Sequence, residues 1–282
     1  MDSYLLTKLS LFTNNLLPLG IAIINSEIKQ LGFITNYLQS HNIQFFTVGR
    51  GGDLDLTGTK QSIDGQNISF TYKEQCYNFD TNIIGSFQAS NLLIAVMMVH
   101  LTGFPFLEVI SKLPKIKAVQ GRLQRASQDN SPYHVVIDYA HTPEALKKTL
   151  LELKHIKAAS GSLKVIFGCG GERDTNKRAQ MGQIASQIAD QIIITDENPR
   201  HESSSSIRQQ IIQGISNNNS NYEEIADREV AITHTINNLH SNDILLIAGK
   251  AGEEYQIIKD RKIPFSDFDI ARKALNAVKV DS

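Results

Sequence analysis

Tryptophan is absent from this 282-residue sequence and cysteine is nearly so, with Cys76 and Cys169 alone. Two thiols cannot build a disulfide framework or a structural zinc site, and they suit a reducing compartment. Long apolar runs are missing as well. The longest, Leu16 to Ile24, is interrupted by Pro18 and Gly20, far short of the about 20 residues a membrane span needs. Asp2 and the polar positions after it do not make a secretory signal. The expectation is a cytoplasmic protein with no membrane partner. Charge of one sign is also lacking, since 28 Lys and Arg against 29 Asp and Glu leave a net charge of −1. That balance gives no general attraction for nucleic acid, so any anion site has to be built locally. A nucleotide phosphate loop of the Walker type is missing too. Thr57-Gly-Thr-Lys60 has the wrong order, and Gly249-Lys250 lacks both the hydroxyl and the first glycine.

What is present is ordinary globular usage, 41 % hydrophobic, in a length that suits two domains. Low complexity is confined to two polar patches, Ser203–Ser206 and Asn217–Asn221, which read as loops or helix caps. The first half is mixed. Strands are expected at 20–25 and 44–48, and an amphipathic helix over 27–40. A meander follows at 54–57, 62–63, 68–72 and 75–79. A helix over 87–100 has Ser86 as its expected N-cap, and another over 105–113 is expected to end at Pro114. Lys115–Gly121 reads as a linker. The second half alternates regularly. Strands at 135–138, 165–167, 192–195 and 244–247 are separated by helices, one of which opens at Pro143. This pattern predicts an α/β fold with a mostly parallel sheet and right-handed crossovers.

The segments after those four strands collect the chemistry. They are Asp138-Tyr-Ala-His-Thr142, Gly168-Cys-Gly-Gly-Glu-Arg-Asp174, Asp196-Glu-Asn-Pro-Arg200 and Ala248-Gly-Lys-Ala-Gly-Glu-Glu254. In a parallel sheet the carboxyl ends of the strands open onto one edge, where ligands bind. Glycines mixed with both signs of charge suit a zwitterionic ligand. The Gly168–Gly171 turn, followed by Arg173, Lys177 and Arg178, is expected to hold an anion. Cys169 reads as packing. His141 could serve as a base, a phosphate contact or a cap, and spacing does not choose among them.

Three of these motifs in order closely resemble the C-terminal domain of the Mur ligase family. They are Ile137-Asp-Tyr-Ala-His-Thr-Pro143, Phe167-Gly-Cys-Gly-Gly-Glu-Arg-Asp174 with Lys177-Arg178, and Thr195-Asp-Glu-Asn-Pro-Arg200. The type resembled is the one that adds the third residue of the peptidoglycan stem peptide. Gly85-Ser-Phe-Gln-Ala-Ser-Asn91 and Gly121-Arg-Leu-Gln124 look like the family's central-domain asparagine motif and its hinge. Tyr4, Lys8 and Leu11-Phe12 resemble the segment that carries its carbamylated lysine. The resemblance spans essentially the whole chain and divides it into a partial central domain, 1–118, and a Rossmann-like C-terminal domain, 119–282.

The resemblance implies an ATP-dependent amide-bond ligase that uses magnesium and phosphorylates a substrate carboxylate before the amine attacks. It implies nucleotide contacts for Asn91, Arg122 and Asp138, a place near the transferring phosphate for His141, and a magnesium-binding role for Lys8 once carbamylated. Arg173, Asn198, Arg200, Gly249 and Glu253 would form the pocket for meso-diaminopimelate, and a UDP-N-acetylmuramoyl dipeptide would be the acceptor. Lysine lacks the distal carboxylate of diaminopimelate, which an arginine fork binds. Arg200 therefore argues for the latter, and also against a folylpolyglutamate synthase. Against the family pattern, the chain begins inside the central domain, without the UDP-binding domain or the phosphate loop. Glu197 replaces an aspartate, Gly249-Lys-Ala-Gly-Glu253 replaces Gly-Lys-Gly-His-Glu, Gln88 replaces an asparagine, and Gln124 replaces a glutamate. The expected activity therefore depends on a phosphate loop supplied by a longer native chain or by a separate one. The alternative is a non-catalytic module that binds diaminopimelate or a muropeptide.

Overall fold

A computed structural model describes residues 2–215 and 221–278. The polar patch Asn217–Asn221 lies, apart from Asn221, outside the described residues. The chain divides into two units, Met1–Lys117 and Ala118–Ser282.

The first unit opens with α1 (Asp2–Asn14), β1 (Ile21–Asn25), α2 (Leu31–Ser40) and β2 (Gln44–Gly49). β3 (Leu54–Ser62), β4 (Gly65–Tyr72) and β5 (Gln75–Thr81) follow. The five strands form one sheet in chain order, parallel from β1 to β3 and antiparallel from β3 to β5. Leu9 of α1 packs with Ala22, Ile24, Ile34 and Leu38 in one apolar cluster. α3 (Ser86–His100) and the short α4 (Phe106–Ile110) complete the unit.

Local chemistry moves four expected boundaries. α2 starts at Leu31 rather than near Glu27, because the Asn25 side chain accepts the Glu27 N–H at 2.8 Å and holds a turn there. The two expected strands at 54–57 and 62–63 are one, with an irregularity between Leu56 and Gly58. The residue capping α3 is Gly85, at a φ of 98° that favours glycine, and Ser86 is already helical. α4 ends at Ile110, since the Pro114 ring would clash with the Ile110 carbonyl four residues back. Pro114 itself lies in a 3-10 turn, Leu113–Lys115.

The second unit runs β6 (Gln124–Arg125), β7 (His134–Asp138), α5 (Pro143–Ile156), β8 (Leu163–Phe167), α6 (Asn176–Ile188) and β9 (Gln191–Ile194). It continues with α7 (Ser204–Ile212), β10 (Tyr222–Glu224), α8 (Arg228–Asn237) and β11 (Ile244–Ala248). A hairpin of β12 (Tyr255–Ile258) and β13 (Arg261–Pro264) precedes α9 (Asp267–Val278). The main sheet has the order β10-β9-β8-β11-β7-β6, parallel throughout except for β6. β8 and β11 are buried along their whole length, which is why β11 reads as an unbroken apolar run and β8 as one broken only by Lys164, which is paired with Asp243. α8 and α9 cover the face that carries Val135, Ile137, Ile166, Leu245 and Ile247, while α5, α6 and α7 pack in a row. The sequence signals for β6, β10 and the hairpin are too short or too polar to have marked them, whereas α9 carries Ala271, Ala274, Leu275 and Val278 at helical spacing and was passed over. Among the described residues, no helix is long and apolar enough to cross a membrane.

Candidate active site

The parallel register puts Asp138 of β7 beside Ala248 of β11 and ends β8 and β9 at the same edge. Asp138 is buried. Its carboxylate accepts the N–H groups of Leu123 at 2.9 Å and Ala140 at 3.0 Å, and the Thr149 hydroxyl at 3.3 Å. Burial pushes this carboxyl above the usual range, and the two backbone donors oppose that shift. The bonds fasten the Gly121–Leu123 turn, where both end residues have positive φ, to the end of β7. Arg122 is exposed, with its guanidinium 5.1 Å from the Tyr139 ring centroid, and that ring meets His141 edge-on at 4.5 Å. His141 Nδ1 contacts the Tyr139 carbonyl at 2.8 Å. A carbonyl only accepts, so Nδ1 carries the proton and Nε2 is left to exchange one.

The glycine-rich turn after β8 works by close approach. A Cβ on Gly168 would lie 2.3 Å from the Thr195 carbonyl oxygen, and one on Gly171 would lie 2.0 Å from that of Pro199. These glycines let the β8 and β9 turns touch. Gly171→Ala should therefore destabilise the second unit by about 1–3 kcal/mol through overpacking, measured by thermal unfolding. A melting point equal to wild type would refute the contact. Arg178 does not face a ligand, contrary to the anion-site expectation. It is fully buried, and its guanidinium donates to both oxygens of Glu202, to Gln210 Oε1 and to the Gly170 carbonyl. Lys177 likewise donates to the His141 carbonyl at 2.8 Å. Cys169 packs against Met181, and burial pushes its thiol up to about 12, which removes it as a nucleophile.

Around Gly170 the charged groups converge. Arg200 Nη1, Glu197 Oε1 and Arg173 Cγ would lie 3.1, 3.5 and 3.6 Å from a Cβ built there. On the other side, a Cβ on Gly249 would lie 2.9 Å from Glu197 Oε2. Glu197 thus sits between two glycines that leave room for its carboxylate. Its Oε2 is buried without a hydrogen-bond partner, and burial raises its pKa against the pull of Arg228, Lys177 and Lys250. Arg200 has a φ of 53° and donates from Nη1 to the Gly171 carbonyl at 2.7 Å. Its backbone is stitched to β12, donating to the Ile257 carbonyl and accepting from the Lys259 N–H. Asn198 is buried and donates from Nδ2 to Glu253 Oε2 at 2.8 Å.

The remaining two sequence candidates lie in the first unit. Lys8 is exposed on α1, with Nζ 4.6 Å from the Tyr4 ring centroid. Asn91 is exposed on α3 and donates to Gln88 Oε1 at 3.0 Å. Among the described residues, no group of three or more His, Cys, Asp or Glu is placed to hold a metal ion.

Residues 1–99 match the model of the Mur ligase middle domain, and residues 121–251 match that of the Mur ligase glutamate ligase domain. The chain belongs to the Mur ligase family. It is 55 % identical over 97 % of its length to the UDP-N-acetylmuramoyl-L-alanyl-D-glutamate–2,6-diaminopimelate ligase of Rickettsia conorii, of which it covers 56 %. The Zymomonas mobilis protein of the same name is 35 % identical over 98 % of the chain and is likewise covered to 56 %. A solved structure of a ligase of that name superposes with a TM-score of 0.64 at 29 % identity, covering 98 % of this chain and 56 % of that one. The chain thus spans about half the length of the relatives it matches.

Within this member of the Mur ligase family, Arg173, Asn198, Arg200, Gly249 and Glu253 all fall on turns at one sheet edge. The sequence reading passed over three further residues there. Glu197 stood out only as a replaced aspartate. Lys250 read as part of a glycine turn, although it is fully buried. Arg228 carried no motif at all, yet it donates to the Ala248 carbonyl immediately before Gly249.

Proposed function

We propose that this chain supplies the central and C-terminal parts of a cytoplasmic, ATP-dependent ligase that joins meso-diaminopimelate to UDP-N-acetylmuramoyl-L-alanyl-D-glutamate. The phosphate loop would come from outside these 282 residues. The observation that carries the proposal is the convergence of Arg200 and Glu197 beside Gly170, with Glu197 also facing Gly249 and with Glu253 bonded to Asn198. Each end of diaminopimelate has an ammonium and a carboxylate. Arg200 uses Nη1 on the Gly171 carbonyl, which leaves the rest of its fork for a carboxylate. Exposed Arg173 adds a second cation beside it. The carboxylates receive the ammonium groups, so the charges of ligand and pocket balance. Lysine would leave the arginine unpaired.

The residues fit a nucleotide's ribose better than its metal. A carboxylate has about four acceptor positions, and Asp138 commits three bonds within the protein, leaving capacity for a hydroxyl beside Arg122. Bound ATP supplies the phosphoryl group that turns a carboxylate into an acyl donor. His141 is positioned by its Nδ1 bond to exchange a proton at Nε2 near that group, and Asn91 would meet the adenine. Lys8, once carbamylated, would add a single magnesium ligand, with phosphate and water supplying the rest.

Calorimetry with meso-diaminopimelate tests the pocket. Arg200→Ala should weaken binding roughly 10–150-fold, the worth of a charge-assisted hydrogen bond at about 1.5–3 kcal/mol, while L-lysine binding should scarcely change. Equal affinity for meso-diaminopimelate in both proteins would remove Arg200 from the pocket.

A further inference from the structure

Lys250 is a fully buried cation near the pocket whose role is not yet accounted for. Its side chain is wholly buried, with Nζ 5.9 Å from the ring centroids of both Tyr255 and Phe265. An ammonium has three donors, and each has an acceptor here. They go to Asn198 Oδ1 at 3.1 Å, Glu253 Oε2 at 3.2 Å and the Tyr255 carbonyl. One lysine therefore ties the turn after β9, the turn after β11 and the start of β12 to a single point.

The amide of Asn198 shows what this joint does. Its Oδ1 accepts from Lys250 Nζ and also from the Ile257 N–H at 2.9 Å. Both partners are donors, so an inverted amide would set its NH2 group against two further donors, with no acceptor in reach. The orientation is forced, and Nδ2 must point at Glu253 Oε2. That oxygen then holds two donors, Nδ2 and Nζ, while Oε1 takes part in neither bond. Glu253 is thereby fixed as a half-satisfied carboxylate with one acceptor to offer.

Charge adds a second reason for a lysine at this place. Glu253 and Glu197 repel each other, and Lys250, with Lys177 and Arg228, offsets that repulsion at Glu197. Burial works to discharge Lys250, and Glu253 is the main group opposing this. An arginine has a planar fork in place of three converging tetrahedral donors and would not reproduce the joint.

We propose that Lys250 is the positioning residue of the amino-acid pocket, setting the Asn198 amide so that Glu253 presents one free carboxylate oxygen to a ligand ammonium. The inference rests on the reading of the pocket as a diaminopimelate site. It assigns Lys250 no contact with the ligand.

The test uses this chain and meso-diaminopimelate in calorimetry, with thermal melts alongside. Lys250→Met should weaken binding roughly 10–150-fold, and Asn198→Ala should do about the same. The double variant should be no weaker than the poorer single one, because both remove the same arrangement. Effects that multiply, or Lys250→Met binding within about twofold of wild type, would overturn the proposal. Asn198→Asp covers the case in which Lys250→Met fails to fold. Its ionised carboxylate still accepts from Lys250 and Ile257 but repels Glu253 instead of donating to it, so affinity should fall while a cooperative melt, at a lower temperature, shows that the chain still folds. Unchanged affinity in Asn198→Asp would equally overturn the proposal. A ligand-free readout separates this inference from the pocket reading. The Nδ2 protons of Asn198 should exchange slowly in wild type and quickly in Lys250→Met. If they do so while wild type binds no diaminopimelate, the ligand assignment fails and the positioning role stands.

Discussion

Arg228→Met is expected to destabilise the second unit by about 3–5 kcal/mol, the cost of leaving one member of a buried ion pair uncompensated. Arg228 and Asp267 are both fully buried and joined by two hydrogen bonds, at 2.8 and 2.9 Å. Arg228 opens α8 and Asp267 opens α9, so the pair clamps the starts of the two helices that cover one face of the sheet. A third bond from the same guanidinium reaches the Ala248 carbonyl at 2.9 Å. For a unit of this size the loss corresponds to a fall in melting temperature of roughly 6–20 °C, read by calorimetry or circular dichroism. Arg228→Met with Asp267→Leu should recover much of it, since an apolar replacement of a whole buried pair is often neutral. A single variant melting within about 2 °C of wild type would show that the pair does not hold the helices.

Glu197→Gln should do the opposite, raising stability by an amount that grows with pH while weakening diaminopimelate binding roughly 10–150-fold. Burial holds the folded-state pKa of Glu197 above its ordinary value. A carboxyl shifted in that direction favours the folded state while protonated, and this contribution is lost as the pH rises through the raised value. Ionising this side chain in the fold therefore costs stability, a cost that glutamine removes. The melting-point gain should be small at acid pH, where wild-type Glu197 is also neutral, and should widen as the pH rises. A gain that does not change with pH would rule out ionisation as its cause. The proposed pocket thus keeps a buried carboxyl at a place where glutamine would suit the fold better.

The two halves of this behaviour were unequally legible in the sequence. β7, β8, β9 and β11 are short β-branched runs, and burial on both faces makes such runs conspicuous. The turns after them stood out because glycine, arginine and carboxylate rarely cluster without a ligand. Arg178 misled for a clear reason. A cation beside a glycine turn looks like an anion contact, and only the fold reveals that Glu202, Gln210 and the Gly170 carbonyl take up its two Nη groups. Lys250 and Arg228 were invisible because a long charged residue is read as solvated by default, and Asn198 and Asp267, which hold them, lie far away in the chain. The hairpin of β12 and β13 has four residues per strand and none of the alternation that would have marked it.

That hairpin also fixes when the pocket comes into being. Arg200 takes its backbone geometry from Ile257 and Lys259, and Asn198 takes a donor from Ile257. The central strand β11, which separates β7 from β8, is made later than both. At about 5–20 residues per second, a ribosome that has passed Arg200 needs roughly 3–12 s more to deliver the hairpin. Throughout that interval the facing edges of β7 and β8 lack their shared neighbour, and Arg200 has no fixed direction. A chain released before the hairpin therefore lacks the proposed pocket altogether. The pocket forms in one late event, together with closure of the sheet.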